Sequence, residues 1–363
     1  MDHPDRTPAL VVDLAVVAGA YQALSTALPG IALHYALKCN GFRPVLTTLR
    51  DCGCGFEVAS ATELDELLAI GIDPAGVLYS NPVKPVRQIA RAYAAGIRHF
   101  AFDSEDELAK LAAVAPGSAV SVRLAANDMD SEVPSEGKFG VDPDAAVELM
   151  LAARDRNLVP SGIAFHVGSQ MMRPKAWRAP LRAVAEIMDK LVADNVFVEL
   201  VNVGGGFPAR YDVPPPPLAE YGAVIAEGVA ALPYPVRVAA EPGRALVAEA
   251  GMLVATVIGT AIRSGRRWIH LDVGAFNGLM ESLETGNRLR FPVRDSRDAP
   301  ERDRYHLTGP TCDGQDTILF DVALSAGLAT GDQVYIGCAG AYTTVYASTF
   351  NGFDVPEIRC SSD

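Results

Sequence analysis

The sequence has no uncharged apolar run long enough to span a bilayer. The one early stretch of that flavour, residues 9–28, is interrupted by Asp13. It reads better as a short strand (10–12) and a surface helix than as a signal segment. Basic residues are in deficit, with 31 Lys and Arg against 44 Asp and Glu and a formal net charge of −13. That balance argues against nucleic acid and against a basic membrane-surface role, and suits a cationic small substrate only weakly. The six cysteines, at 39, 52, 54, 312, 338 and 360, lack the paired spacing of a disulfide framework, so a reducing cytoplasm is expected. Cys52-Gly53-Cys54 has no second pair and no nearby histidine, and no metal site is expected there. Also missing is a G-x-G-x-x-G after the first strand candidate, which argues against an open doubly wound sheet.

What is present is a regular alternation. Of the 363 residues 49% are hydrophobic and 21% charged, enough core for two domains or for a large barrel with a smaller unit. Strand-like runs fall at 31–37, 56–59, 77–80, 99–102, 119–124, 162–167, 198–203 and 236–240. Between them lie amphipathic stretches at 61–70, 85–95, 104–114, 144–156, 176–193 and 218–232. Ser104 and Glu107 carry the spacing of a capping box. Eight β/α repeats predict a (β/α)8 TIM-like barrel. Beyond about residue 246 helical periodicity is scarce and strand-like runs dominate (251–262, 268–272, around 305–307, 333–337), with turns at 264–265 and 330–332. The expected organisation is a barrel over 14–246 and a mostly β domain over 247–363, with residues 1–13 adding a strand to the latter. Pro214–Pro217 reads as a stiff loop between the seventh strand and its helix.

In such a barrel the chemistry sits at the carboxyl ends of the strands. The first strand ends at Lys38, the second holds Glu57, the fifth Arg123 and the sixth ends at His166-Val167-Gly168-Ser169. The seventh runs into Gly204-Gly205-Gly206, the eighth into Glu241-Pro242-Gly243-Arg244. A lysine ending a buried strand snorkels to solvent, shifts its pKa, or is tied up covalently, as by an aldehyde cofactor. The glycine triplet is either a tight turn or an anion cradle of backbone N–H groups, to which Gly243 and Arg244 would add an N–H and a fixed charge. Glu241 either pairs with a basic neighbour or meets a cation in the barrel mouth, and His166 is a satisfied core histidine or a flat group stacked on a ring. In the β region Cys312 and Asp313 sit on a glycine-flanked loop, where the thiol is an ordinary buried cysteine or a proton donor.

These residues lie in segments that match one family. Tyr-Ala-Leu-Lys-Cys-Asn (35–40), Phe-His-Val-Gly-Ser (165–169), Gly-Gly-Gly-Phe-Pro (204–208), Glu-Pro-Gly-Arg (241–244), Gly-Pro-Thr-Cys-Asp-Gly (309–314), Gly-Ala-Tyr (340–342) and Ser-Thr-Phe-Asn-Gly-Phe (348–353) occur in the family's order along nearly the whole chain. The sequence thereby resembles the fold-type III pyridoxal-phosphate decarboxylases, the ornithine, lysine, arginine and diaminopimelate group. The resemblance implies pyridoxal 5'-phosphate as cofactor, with Lys38 as its Schiff-base lysine, His166 stacked on the pyridine ring and Glu241 at the ring nitrogen. Glu57 and Arg123 would border the cofactor, and Ser169, Gly205, Gly206, Gly243, Arg244 and Tyr342 would hold the phosphate. It implies a homodimer whose active sites lie at the subunit interface, with Cys312 and Asp313 crossing into the neighbour. Cys312 would return a proton to the α-carbon, Asp272 and Asp313 would grip a distal ammonium, and Phe350 would lie beside the cofactor.

Within the family, Asp313 after Cys312 favours the ornithine and lysine side, since diaminopimelate enzymes usually carry Cys-Glu-Ser there. The expected reaction is decarboxylation of L-ornithine to putrescine, a step of polyamine biosynthesis. Lysine stands second; diaminopimelate or a specialised substrate is a further alternative. Alanine racemase shares the architecture but places an arginine where this chain has Glu241. A non-enzymatic regulator is disfavoured by the presence of Lys38, Glu241 and Cys312. Glu57, where the eukaryotic ornithine enzymes typically carry Asp, and the unfamiliar wording of 278–283 leave the preferred chain length open.

Overall fold

The computed structural model describes residues 6–127, 129–133 and 137–361. It divides into two compact units, one made of Ala20–Pro208 and Pro216–Gly243, the other of the described parts of Met1–Gly19, Ala209–Pro215 and Arg244–Asp363.

The first strand in the chain, β1 (Ala9–Val12), belongs to the second unit. The next eight are β2 (Ile31–Ala36), β3 (Gly55–Val58), β4 (Leu78–Tyr79), β5 (His99–Phe102), β6 (Ala119–Leu124), β7 (Val159–Phe165), β8 (Leu200–Asn202) and β9 (Arg237–Ala240). Each pairs in parallel with the next, and β9 returns to β2, closing the barrel that the alternation predicts. Helices start where short polar side chains take up free N–H groups: Ser60 accepts from Glu63, Ser104 from Glu107, and Asp142 from Asp144 and Ala145. Helix Arg43–Asp51 went unread in the sequence; it is short, and its buried face is only Val45, Leu46 and Leu49.

Side chains along a strand alternate, so each barrel strand sends one set outward and one inward. Phe56, Val58, Tyr79, Phe100, Phe102, Val122 and Leu124 are buried, while the residues between them, Glu57, Ala101 and Arg123, line a cavity. Two positions deeper than Ser80, Asn202 and Glu241 lie Leu78, Leu200 and Ala239, which pack as one apolar cluster. This cluster is the floor under the cavity. Deeper on β5, His99 Nε2 meets Ser121 Oγ at 2.6 Å. Gly162 on β7 makes room for that pair, because a Cβ there would stand 1.9 Å from the hydroxyl oxygen. Burial, more than the nearby Arg237, pushes His99 down to about 4, so it is neutral.

The second unit is mostly β. Its strands β10 (Gly251–Arg263), β11 (Arg266–Leu271), β12 (Val293–Asp295), β13 (Arg302–Thr308), β14 (Thr317–Ser325) and β15 (Gln333–Ile336) run in the order β12-β15-β10-β11-β13-β14. The N-terminal strand adds to this sheet, pairing antiparallel with β10 and parallel with β16 (Glu357–Cys360). Residues 1–5 of the expected 1–13 segment lie outside the described residues. The division also places residues 14–19, Ala209–Pro215 and residues 244–246 in the β unit, inside the stretch 14–246 expected for the barrel. Local bonds explain it: Cys338 Sγ donates to Arg210 O at 2.8 Å and the Tyr211 and Phe291 rings meet edge to face. Among the described residues no helix is long and apolar enough to cross a membrane, and no cluster of His, Cys, Asp and Glu could hold a metal.

Candidate active site

A cavity of about 240 Å³ opens at the carboxyl ends of the barrel strands. Lys38, Glu57, Arg123, His166 and Glu241, five separate strand-end residues, all line it. Lys38 stands on a single 3-10 turn, Leu37–Cys39, directly after β2. Leu37, Cys39 and Asn40 are buried around it, and Tyr35 Oη donates to Asn40 O at 2.9 Å. The turn is thus anchored on both sides of an amine that is itself exposed.

The carboxylates are held differently. Glu241 Oε1 accepts from Ser80 Oγ and from Asn202 Nδ2, the latter at 2.6 Å. Asn202 also takes the Gly204 N–H on its Oδ1 at 2.9 Å, so one amide ties the carboxylate to the glycine loop. Glu57 is 2% exposed. Burial pushes it up to about 8, with Glu241 adding to the rise and Lys38 and Arg123 opposing it. His166 receives the Gly205 N–H on Nδ1 at 3.3 Å, which leaves Nε2 as the proton-bearing nitrogen. Burial, then Arg123 and Lys38, push it down to about 3. It is a neutral, flat ring. Sequence reasoning missed Ser80, Asn81, Pro82, Asn202 and Phe139; the last lies 5.1 Å under the Arg123 guanidinium. The one available signal was polarity at an inward position, as for Asn202 two residues before Gly204.

The loop 204–206 packs tightly against neighbouring backbone. Gly204 and Gly206 have φ of +69° and +98°, and a Cβ on Gly205 would stand 2.4 Å from Glu241 O. Met171 N–H donates to Gly206 O at 2.9 Å, and Ser169 exchanges backbone bonds with Val133. Gly243 fits against Cys39, whose Cβ would lie 3.0 Å from one added there. In the β unit Arg244 makes a buried two-pronged pair with Glu281, donates to Tyr211 Oη at 2.6 Å and lies 5.0 Å from the Tyr342 ring. Tyr342 adopts φ of +60°, a strained conformation for so bulky a residue.

The remaining predicted residues also belong to the β unit. Cys312 is exposed and its Sγ lies 3.6 Å from Asn351 Oδ1. Asp313 is exposed and caps its own turn through the Gln315 N–H. Phe350, 42% exposed, packs against Phe276. Asp272 requires a correction. Its Oδ1 accepts the Thr256 N–H at 2.9 Å and its Oδ2 the Thr7 hydroxyl at 2.5 Å, so both oxygens serve the sheet instead of a substrate ammonium. The Cys312 loop has an organiser that went unread: buried Asp316 accepts from Ala275 N, Thr311 N and Thr311 Oγ1.

These groups fit pyridoxal phosphate. One primary amine faces the cavity, a carboxylate is fixed by two donors, a neutral ring lines the wall, and the glycine loop packs so closely on the Phe165, Gly168 and Glu241 carbonyls that any Cβ would collide with them. Residues 14–248 match the family model described as the pyridoxal-binding domain of pyridoxal-dependent decarboxylases. The lysine/ornithine decarboxylase of Selenomonas ruminantium is 34% identical over 356 residues, 96% of this chain and 88% of the relative. The structure of lysine/ornithine decarboxylase from Vibrio vulnificus, complexed with cadaverine, aligns with a TM-score of 0.90 at 32% identity, covering 98% of this chain and 92% of that one. The arginine decarboxylase of Paramecium bursaria Chlorella virus, bound to agmatine, aligns at 0.92 with 27% identity, covering 99% and 97%.

Proposed function

The chain belongs to the pyridoxal-dependent decarboxylases of the ornithine, lysine and arginine group, and from that premise we propose that its substrate is L-ornithine, released as putrescine, with L-lysine second. It is a pyridoxal-phosphate-dependent amino-acid decarboxylase. The observation that carries the reading is the convergence of Lys38, His166 and Glu241 on one cavity. When bound, the cofactor supplies an electron sink for the pair of electrons that loss of CO2 leaves on the substrate.

The protein's own residues divide the work. Lys38 would hold the aldehyde through its amine. Glu241, fixed by Ser80 and Asn202, keeps a proton on the ring nitrogen. His166, held neutral, stacks without competing for that proton. The resemblance assigns the phosphate to Ser169, Gly206, Gly243, Arg244 and Tyr342, while the Gly205 N–H is taken by His166. Cys312 returns a proton to the α-carbon and Asp313 meets the distal ammonium of the substrate. Both are solvent-exposed, which supports their service in the site of a second copy. A substrate lacking the distal amine forgoes that ion pair and is turned over less well.

The test is product analysis with ornithine, lysine, arginine and meso-diaminopimelate. Putrescine should form with the highest kcat/KM and cadaverine with the next. A preference for arginine or diaminopimelate contradicts the assignment. Mixing Lys38→Ala with Cys312→Ala should restore activity that neither has alone, and no recovery contradicts the shared site.

A further inference from the structure

Lys84 is the most thoroughly buried charge near the cavity, and the chemistry above does not use it. Its side chain is 0% exposed. Nζ donates to Asn81 O at 2.8 Å and to Ala101 O at 2.6 Å, and pairs with Glu107 Oε1 at 2.9 Å. Stability alone does not explain such a pair, since apolar residues of similar volume often replace a buried ion pair at no loss. The two carbonyls do. Asn81 follows β4 and Ala101 lies in β5, and both residues line the cavity, as do Ser80 and Pro82. Ser80 in turn donates to Glu241.

Glu107 departs from its local expectation in a way that serves the same end. Its N–H is capped by Ser104, but its side chain does not complete the capping box. Its Oε2 accepts the Lys84 N–H at 3.2 Å and pairs with Lys110, which also donates to Lys84 O at 2.7 Å.

We propose that Lys84 is a positioning residue: its ammonium ties the carbonyls at the ends of β4 and β5 together and so holds Ser80, Asn81 and Pro82 in the cavity wall, with Ser80 set against Glu241. This rests on the decarboxylase reading. Failure of that reading shows in the wild-type control as no turnover of any substrate, whereas failure of the inference shows only among the variants.

The test compares Lys84→Met, Glu107→Gln and the double variant Lys84→Met/Glu107→Leu as holoenzymes. Thermal midpoint, kcat, KM and the visible absorbance of the bound cofactor are read for each. Lys84→Met keeps Lys110 as a partner for Glu107 and should fold, with a lower midpoint, a shifted absorbance and kcat reduced roughly 100-fold, the scale of a small misplacement near the reacting atoms. Glu107→Gln leaves both carbonyl bonds and should keep most of the turnover. The double variant removes both buried charges and should regain part of the midpoint lost in Lys84→Met while keeping the kcat defect and the shifted absorbance. Wild-type kcat in either Lys84 variant overturns the proposal, as does recovery of kcat together with stability. Failure of both Lys84 variants to fold also overturns it, because a positioning tie leaves the barrel foldable.

Discussion

Asn202→Asp is the smallest change that should disable the cavity. Asn202 is buried, with Oδ1 on the Gly204 N–H and Nδ2 donating to Glu241. Aspartate has the same shape and keeps the first bond, but it sets an oxygen where the donor stood, 2.6 Å from Glu241 Oε1. Two full charges at that separation repel by about 6 kcal/mol at an effective dielectric near 20. One proton shared between the two carboxyls relieves that repulsion, so Glu241 no longer carries its whole charge. The charge-assisted bond from Asn202, about 1.5–3 kcal/mol, is replaced by that shared proton, and losing its support of the Glu241 anion corresponds to a roughly 10- to 150-fold drop in whatever depends on it. The assay is absorbance titration of the apoenzyme with pyridoxal phosphate across pH, together with kcat. Both should fall by that factor at neutral pH. Wild-type affinity and turnover in Asn202→Asp would refute the claim that an anionic Glu241 meets the ring nitrogen.

Two further outcomes follow from the same geometry. His99 is held neutral in the fold at about 4 against an ordinary value near 6.5, so protons bind the unfolded chain better. Its contribution to stability is complete above pH 6.5 and is lost as pH falls toward 4, at about 1.4 kcal/mol per unit. His99→Gln should remove that slope in urea titrations over this window, and an unchanged slope contradicts the assignment. Glu57, raised to about 8, acts in the opposite sense but is common to both proteins and cancels in the comparison. Asp272→Asn should lower stability by about 1–2 kcal/mol through its Thr256 and Thr7 bonds and leave KM unchanged. A large rise in KM restores the substrate role that its place at a strand end suggested.

The barrel was legible because its signal is periodic and local. Strand-like runs punctuated by helices predict the closed sheet, and the residue ending each strand must face the mouth. Lys38, Glu57, Arg123, His166 and Glu241 were found that way, by position. What stayed unread depends on partners distant in sequence. Asn202 looked like one polar residue in an apolar run, yet it joins two halves of the site. Glu107 carried a cap signature three residues after Ser104, but a buried lysine 23 residues earlier took its side chain instead. Asp272 was misassigned because a strand-end carboxylate can turn toward either its own sheet or a ligand, and only the Thr7 and Thr256 bonds decide. Asp316 was invisible for the same reason, since all its donors come from neighbouring loops.

The central claim is that a lysine on the turn after β2 carries the cofactor. Borohydride reduction of the holoenzyme, followed by proteolysis and mass mapping, tests it most directly. A single pyridoxyl-phosphate adduct is expected on the peptide containing Lys38 and none on that containing Lys84. An adduct on any other lysine, or its persistence in Lys38→Ala, would contradict it.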